Sequence, residues 1–337
     1  MNIGIVGAGS WGTVLSILLA NQGNQIDLWV YEKDLFEIIN STRENTYFLP
    51  GHSFPENIRP SKSLEEVVSE KEVILIVVPS HVFRPVLNDL NPFLMENCLV
   101  VNASKGIEND TLSTIHEILK ETIRVRFTPA TISGPTFAVE IAGGVPSALV
   151  AAAESLKTAE RVQRIFSNSR LRVFTSTDLM GVELGGALKN VIAIATGISD
   201  GLQLGNNARA ALITRGLIEI TRIGTAMGAR PETFSGLSGM GDLVLTCTGD
   251  LSRNRTVGLK LGQGMALKEI TGNMKMVAEG IRTVKSAFAL KKKLRIQAVV
   301  IDQTYKVLYE DKSPQKALED LMKVSISTEF AGVKGLQ

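Results

Sequence analysis

Short runs of apolar residues alternate with helical patterns through the first half of the chain, and this alternation limits the choice of fold more than any other feature. Uninterrupted runs such as Val73-Ile74-Leu75-Ile76-Val77-Val78 indicate strands that are buried on both faces. When helices separate such strands, the pattern is typical of a parallel sheet covered by helices on both sides. We predict strands over residues 3–6, 25–30, 73–78, 99–102, 131–133, 147–151 and 171–174.

Helices are predicted between the first strands over residues 12–21 and 34–40. Ser63-Leu64-Glu65-Glu66 has the pattern of a capping box, which would open a further helix. Residues 43–60 include three prolines and are predicted to form a long surface loop. Loops of this length are uncommon in compact domains, which favours a functional role.

The strand signal ends near residue 177, and only helical patterns follow. A chain of 337 residues is long enough for two domains. We therefore predict a Rossmann-type, doubly wound α/β domain over residues 1–176 and an all-α domain over residues 177–337. The predicted helices of the second domain cover residues 178–198, 208–227, 256–261, 280–291 and 297–308.

The charge balance excludes a general attraction to polyanions. The chain has 36 basic and 34 acidic residues, giving a net charge of +2, so neither nucleic acid nor an anionic membrane is an expected partner. Two cysteines and three histidines indicate a reducing compartment and no metal site. The N-terminus lacks a signal-like pattern, and we expect a soluble, cytoplasmic protein without membrane insertion.

A glycine-rich motif, Gly7-Ala8-Gly9-Ser10-Trp11-Gly12, follows the first strand and opens a helix. In this context Gly7 allows a tight turn, Gly9 lets the backbone approach a pyrophosphate, and Gly12 packs helix on strand. The motif predicts that NAD or NADP binds here, although a simple turn is the alternative. Glu32, after the second strand, either accepts hydrogen bonds from a ribose or is an exposed acid at a helix start.

One lysine lies on a stripe of very small residues in the predicted helix over residues 180–200. Each glycine costs a helix ~1 kcal/mol, so close approach of another backbone or a ligand should compensate. A lysine on such a face either has a partner or extends to solvent from a tight helix crossing. Steps of four residues along this face give Gly181, Gly185, Lys189, Ala193 and Gly197.

Other polar residues suit a small phosphorylated substrate. Lys105 follows the strand over 99–102, where open α/β sheets bind ligands, unless it is a surface lysine. Asp242 ends a glycine-rich turn and could hold both Lys189 and a substrate hydroxyl. Ser252 can cap a helix whose first turn holds Arg253 and Asn254, which is either an anion site or a basic surface turn.

These residues together indicate hydride transfer at a carbonyl. Desolvation can lower the lysine pKa from ~10.4 toward ~7–8, where lysine works as an acid–base catalyst. We expect Gly181 and Gly185 to leave room for a nicotinamide ring and a small substrate, with Lys189 pointing into that room.

The chain resembles the bacterial NAD(P)-dependent glycerol-3-phosphate dehydrogenases over nearly its whole length. The resemblance rests on the glycine motif and on five further motifs that occur in order. They are Val78-Pro79-Ser80, Ser104-Lys105-Gly106, Ser133-Gly134-Pro135-Thr136-Phe137-Ala138, Leu188-Lys189-Asn190-Val191 and Ser252-Arg253-Asn254.

The resemblance implies reversible reduction of dihydroxyacetone phosphate to sn-glycerol 3-phosphate for phospholipid synthesis, and a homodimer. It implies that Lys189 is the acid–base residue and that Lys105 and Asp242 assist at the reacting centre. The implied substrate contacts are Lys105, Gly134, Thr136, Lys189, Asp242, Ser252, Arg253 and Asn254. The implied cofactor contacts are Gly7, Gly9, Ser10, Trp11, Gly12, Tyr31, Lys105, Ala138, Arg253, Val277 and Glu279.

Two alternatives and one departure accompany this resemblance. Many family members have a basic residue where Tyr31 stands, which puts a preference for NADP in doubt. A related dehydrogenase of β-hydroxyacids would share the fold but bind carboxylates. A non-catalytic nucleotide sensor is the alternative from another functional class, and the presence of both Lys105 and Lys189 argues against it.

Overall fold

The computed structural model describes residues 1–272, 274, 278–325 and 328–333. It divides into two compact units, the first formed by Met1–Ser104 with Ile115–Leu179 and the second by Lys105–Thr114 with Met180–Gln337. The sequence placed the division near residue 176 and assigned Lys105–Thr114 to the first domain. The structure differs because Ile107, in that segment, is buried in the core of the second unit.

The first unit contains eight strands and seven α-helices. The strands are β1 (Asn2–Val6), β2 (Gln25–Trp29), β3 (Ile58–Ser61), β4 (Val73–Ile76), β5 (Cys98–Asn102), β6 (Phe127–Ser133), β7 (Ser147–Ala153) and β8 (Leu171–Ser176). The helices are α1 (Ser10–Asn21), α2 (Lys33–Thr42), α3 (Leu64–Val68), α4 (Phe83–Leu90), α5 (Ile115–Thr122), α6 (Ala138–Ala142) and α7 (Leu156–Phe166).

The strands form one sheet in the order β3-β2-β1-β4-β5-β6-β7-β8. The chain passes from β1 outward to β2 and β3, then returns to add β4 on the other side of β1. This reversal is the topological switch point at which doubly wound sheets bind ligands. The motif of Gly7 to Gly12 follows the carboxyl end of β1, directly at that point.

Burial on both faces explains the uninterrupted apolar runs. Alternate side chains of β4 enter separate core clusters, with Val73 and Leu75 in one and Ile74 and Ile76 in the other. Side chains alternate across a strand, so a strand covered by helices on both sides needs apolar residues at every position. The predicted α/β fold class is thereby confirmed.

Two features of the sheet differ from the prediction. β3 lies partly inside the segment that was predicted to be a loop, and β7 pairs antiparallel to β6. β3 is a four-residue strand at the sheet edge that contains Pro60. Proline is tolerated there because an edge strand leaves backbone donors unpaired, but it also obscures the strand pattern.

The described part of the second unit is helical apart from an isolated bridge between Ile107 and Thr114. A π-helical turn over Leu237–Gly241 leads into α10, a helix that the sequence had not predicted. The helices are α8 (Leu179–Gly201), α9 (Gly205–Ala226), α10 (Asp242–Thr248), α11 (Arg253–Gly262), α12 (Leu267–Gly272), α13 (Glu279–Lys293), α14 (Val299–Tyr309) and α15 (Pro314–Met322).

Helix α8 is the core element of the second unit. It is long and apolar enough to cross a membrane by length and composition, but 89% of its apolar window is buried inside the protein. Residues such as Leu188, Val191 and Ile192 are completely buried in the core of this unit. Such burial is the pattern of a helix surrounded by other helices in a globular core.

Candidate active site

The glycine-rich turn of the first unit has the geometry that a dinucleotide requires. Gly7 has a φ of +117°, and its N–H donates to the Trp29 carbonyl at 3.3 Å. A Cβ on Gly12 would lie 1.9 Å from the Gly7 carbonyl oxygen, so only glycine fits there. A Cβ on Gly9 would meet nothing within 4 Å, which leaves that backbone accessible to a pyrophosphate.

The segment over residues 43–60 packs directly on this turn. Asn45 is completely buried, and its Nδ2 donates to the Ala8 carbonyl at 2.8 Å and to Thr13 Oγ1 at 2.7 Å. Ser10 Oγ donates to the Phe48 carbonyl at 2.7 Å. The long segment therefore helps to hold the conformation of the glycine-rich turn. Sequence reasoning did not find Asn45, and the only available signal was the unusual length of the predicted loop.

The other predicted cofactor residues of this unit lie near the start of its helices. Trp11 is in the first turn of α1, and its Nε1 is buried without a hydrogen-bond partner among the described residues. Tyr31 is 74% exposed after β2. Glu32 precedes α2 and makes no capping hydrogen bond through its side chain, so its predicted contact with a ribose stays a prediction. Ala138 is the first residue of α6.

Gly134 has a structural reason to be glycine. A Cβ at this position would lie 2.7 Å from Leu149 Cα on β7, so the close antiparallel approach of β6 and β7 excludes a side chain. Thr136 Oγ1 donates to the Gly134 carbonyl at 3.1 Å. This hydrogen bond stabilises the turn between β6 and α6, where both residues were predicted to contact substrate.

In the second unit, one buried carboxylate binds two lysines. Asp242, at the start of α10, accepts from Lys105 Nζ through Oδ2 at 2.6 Å and from Lys189 Nζ through Oδ1. Lys189 Nζ also donates to Thr246 Oγ1 at 2.7 Å. Asp242 and Thr246 are one helical turn apart on α10, so both side chains face α8. The partner expected for Lys189 is present, whereas the second lysine on Asp242 was not foreseen.

Burial gives Lys189 an unusual acidity. Desolvation, assisted by the nearby positive charge of Lys105, lowers the pKa of Lys189 to about 7 against the opposing effect of Asp242. Asp242 and Thr246 take two of the three ammonium protons. Within the described residues, no acceptor is present for the third. Lys189 can therefore exchange a proton with a substrate oxygen near neutral pH.

The glycines of α8 serve close packing between helices. A Cβ on Gly185 would lie 2.6 Å from the Ser238 carbonyl oxygen, and one on Gly197 would lie 2.1 Å from the Arg255 carbonyl oxygen. Backbone of the turn before α10 and backbone of α11 occupy these two positions. The expectation that Gly185 leaves room for a nicotinamide ring is therefore wrong, and backbone contact compensates for the glycine instead.

The start of α11 has the predicted serine cap, and the substrate contacts predicted for its first turn stay predictions. Ser252 caps the helix by accepting from the Arg255 N–H at 3.2 Å, and Arg253 begins the first turn. Asn254 bridges within the unit, since its Nδ2 donates to Asn190 Oδ1 and its Oδ1 accepts from the Gly280 N–H, both at 2.9 Å. Asn254 thus joins α11 to α8 and α13.

Arg253 supplies a positive charge at the start of α11. Burial lowers its pKa, and the carboxylate of Glu279, the first residue of α13, opposes that effect. Arg253 as a whole is exposed, and a guanidinium near a helix N-terminus favours an anion such as phosphate. Val277, another predicted cofactor contact, lies outside the described residues.

Comparisons with known proteins agree with this arrangement. Residues 2–159 match a family model described as the N-terminus of NAD-dependent glycerol-3-phosphate dehydrogenase, and residues 178–319 match its C-terminus. The chain is 52% identical over 333 residues to glycerol-3-phosphate dehydrogenase (NAD(P)+) of Syntrophotalea carbinolica, covering 98% of this chain and 100% of that protein. Its identity to the Geobacter metallireducens protein of the same name is 53%, over 95% and 96% of the two chains.

A solved structure supports the same relationship. The crystal structure of glycerol-3-phosphate dehydrogenase from Coxiella burnetii is similar with a TM-score of 0.92 and 39% identity, covering 96% of this chain and 99% of that one. The glycine-rich turn and the Lys189–Asp242–Lys105 cluster are thus found in a chain that matches these relatives over almost its entire length. The chain belongs to the NAD-dependent glycerol-3-phosphate dehydrogenase family.

Proposed function

We propose that this chain catalyses the reversible NAD(P)-linked reduction of dihydroxyacetone phosphate to sn-glycerol 3-phosphate. The observation that carries the proposal is the buried Lys189, held by Asp242 and Thr246 and poised with a pKa of about 7. A general acid is most effective when its pKa is close to the working pH.

The proton transfer follows from the contacts of Lys189. In reduction, its ammonium donates a proton to the carbonyl oxygen at C2 as that oxygen becomes a hydroxyl. In oxidation, the neutral amine accepts the hydroxyl proton. Asp242 orients the amine in both directions through its hydrogen bond. Lys105, on the other oxygen of Asp242, places a second positive charge nearby, which stabilises the developing oxyanion.

The phosphate of the substrate would be bound at the start of α11. Arg253 supplies the positive charge there, and Ser252 and Asn254 hold the first turn in place. Asp242, Lys105 and Lys189 would meet the other end of the molecule. We also assign Gly134 and Thr136 of the first unit to the substrate, on the strength of the family motif that contains them.

The bound nicotinamide cofactor would supply the hydride. The residues that we assign to it are Gly7, Gly9, Ser10, Trp11, Gly12, Tyr31, Lys105, Ala138, Arg253, Val277 and Glu279. The open backbone at Gly9 and the unpartnered Nε1 of Trp11 fit a pyrophosphate-bearing ligand. A cytoplasmic homodimer that supplies sn-glycerol 3-phosphate to phospholipid synthesis completes the proposal.

A steady-state assay of dihydroxyacetone phosphate reduction with NADH and with NADPH tests this function directly. We expect turnover with at least one cofactor, and oxidation of sn-glycerol 3-phosphate in the reverse direction. We expect no oxidation of 3-hydroxyisobutyrate, because the site offers Arg253 for a phosphate. Oxidation of the hydroxyacid alone would identify a β-hydroxyacid dehydrogenase. Cofactor binding without turnover of either substrate would identify a nucleotide sensor.

A further inference from the structure

The second unit contains a cavity that is separate from the Lys189 cluster. It has a volume of about 280 Å³, close to the ~300 Å³ at which small-molecule sites begin. Four helices form its walls through apolar side chains. These include Ile198 of α8, Leu212 of α9, Val307 of α14, and Leu318 and Leu321 of α15.

The ionisable residues that line this cavity are Arg215, Glu219 and Arg222, all on α9. The two arginines bring two positive charges to one region of the wall. Burial raises the pKa of Glu219 to about 7, although the backbone N–H groups of Val300 and Ile301 donate to its carboxylate at 2.8 and 3.1 Å. Near neutral pH the lining therefore has a positive balance.

Two lining residues have polar atoms available to a ligand. Ser199 Oγ and Arg222 Nε are buried and have no hydrogen-bond partner among the described residues. Ser199 is 2% exposed and Arg222 is 7% exposed. A buried polar group without a partner destabilises the protein, so an entering acceptor that paired with it would be favoured.

We propose that this cavity binds an aliphatic monocarboxylate, with its hydrocarbon chain against the apolar walls and its carboxylate beside Arg215 and Arg222. The apolar walls select the chain, because burying it removes hydrocarbon from water. The arginines select the anion, because a guanidinium pairs with a carboxylate through two parallel hydrogen bonds. An amine of the same length would meet repulsion from both guanidinium groups.

Binding of octanoate, octanol and octylamine to the full chain tests the ligand class by titration calorimetry. We expect octanoate to bind at least ~10-fold more tightly than octanol, equivalent to one charge-assisted hydrogen bond. Octylamine should bind more weakly than either. Equal affinities for the three compounds would overturn the proposal, because the charged lining would then not distinguish a carboxylate from an alcohol or an amine.

Two pairs of variants test the location. Both Ala210 and Ala211 are exposed residues of α9, but only Ala211 lines the cavity. Ala211→Phe should fill the cavity and weaken octanoate binding at least ~10-fold, and Ala210→Phe should leave it unchanged. Arg215→Gln should weaken octanoate but not octanol by ~5-fold, whereas Arg295→Gln, on an exposed residue outside the cavity, should affect neither.

Unchanged octanoate binding in both Ala211→Phe and Arg215→Gln would place the ligand elsewhere and overturn the proposal. A second copy of the chain is the alternative occupant of the cavity, and sedimentation of the free protein tests it. Octanoate binding that disappears as the chain self-associates would assign the cavity to a second copy of the chain. Binding that is independent of protein concentration would support the monocarboxylate.

Discussion

Asp242 connects the two lysines of the candidate site, because each of its carboxylate oxygens accepts a hydrogen bond from a different lysine. Its side chain is 1% exposed, and those of Lys105 and Lys189 are 20% and 8% exposed. One negative charge thus faces two positive charges in a buried setting. This imbalance favours loss of a proton from the more buried lysine, which is Lys189.

Replacing Lys189 should separate catalysis from cofactor binding. We expect Lys189→Ala to lower kcat by at least ~100-fold, because the group that we assign to the proton transfer is removed. Asp242 keeps its ion pair with Lys105, so the fold should be retained. Steady-state kinetics and fluorescence titration with the cofactor measure both effects. Lys293→Ala, on an exposed residue at the end of α13, is the control. Near-normal turnover of Lys189→Ala would exclude Lys189 as the acid–base residue.

The two directions of the reaction should have opposite pH dependence. Reduction needs protonated Lys189 and should decline as pH rises through about 7, whereas oxidation needs the neutral amine and should decline as pH falls through it. Each limb approaches tenfold per pH unit. Profiles of kcat against pH for both directions measure this dependence. A decline on the same side of pH 7 in both directions would contradict the prediction.

A variant of Lys105 tests the cause of this acidity. The positive charge of Lys105 lowers the pKa of Lys189, so Lys105→Met should move the midpoint of the residual activity to higher pH. Loss of activity at an unchanged midpoint would mean that Lys105 contacts substrate without affecting the charge of Lys189.

The pairing of Lys189 with Asp242 was predicted from the sequence, but the pairing of Lys105 with the same carboxylate was not. A lysine on a stripe of glycines is visible because a helix repeats locally. The ion pair between Lys105 and Asp242 joins residues separated by 137 positions, and no local pattern encodes it. Asn254 was predicted from the same motif as Arg253, yet its amide is used between three helices of its own unit.

Among the structural elements, the turn between β1 and α1 contains one glycine that packing requires, Gly12, and one that we expect a ligand to require, Gly9. Gly12→Ala should destabilise the protein by about 1–3 kcal/mol, because its Cβ would overlap the Gly7 carbonyl. Gly9→Ala should change stability by less than ~0.5 kcal/mol, because no protein atom lies within 4 Å of its Cβ.

For cofactor affinity we expect the opposite order, with Gly9→Ala having the larger effect and Gly12→Ala the smaller. Gly9→Ala should weaken cofactor binding at least ~10-fold, since the new methyl group stands where the backbone would approach the pyrophosphate. Denaturant unfolding and cofactor titration of each variant provide the two measurements. A Gly9→Ala protein with unchanged cofactor affinity would show that the dinucleotide does not use this turn.

Buried strands such as β4 were predictable because their apolar runs are uninterrupted, and α8 was predictable because its helical pattern continues over 23 residues. α10 was not, because it begins directly after a glycine-rich turn and its residues include Val244, Thr246 and Thr248, which are poor helix formers. The antiparallel direction of β7 was equally hidden, since a strand carries the same local pattern in either direction. Tertiary packing decides such features.

Stability of the whole molecule should depend on pH through Glu219. Its pKa is about 7 in the folded protein and ~4.3 in an unfolded chain, so the folded state binds more protons between these values. Stability from this group should therefore fall as pH rises through that window, by up to ~1.4 kcal/mol per unit. Unfolding free energies at several pH values measure the effect.

Glu219→Gln supplies the reference for this measurement. It keeps the size of the side chain and removes the titration, and any loss of the hydrogen bonds from Val300 and Ile301 adds an offset that does not vary with pH. The difference in stability between the two proteins should change across the window. If the unfolding free energies of the two proteins changed equally across this pH window, Glu219 would be ionised there in the folded state.

Lys105–Thr114 belongs to the second unit, although the residues before and after it in the sequence belong to the first. This arrangement restricts how the chain could be recombined with its relatives. A chimaera joined near residue 180 would combine α10 of one parent with the Lys105 loop of the other. The loop brings Lys105 to Asp242 and Ile107 to the helical core, so both partners must come from the same parent. Successful exchange therefore requires three crossover points, with the ten-residue loop transferred together with the helices it serves.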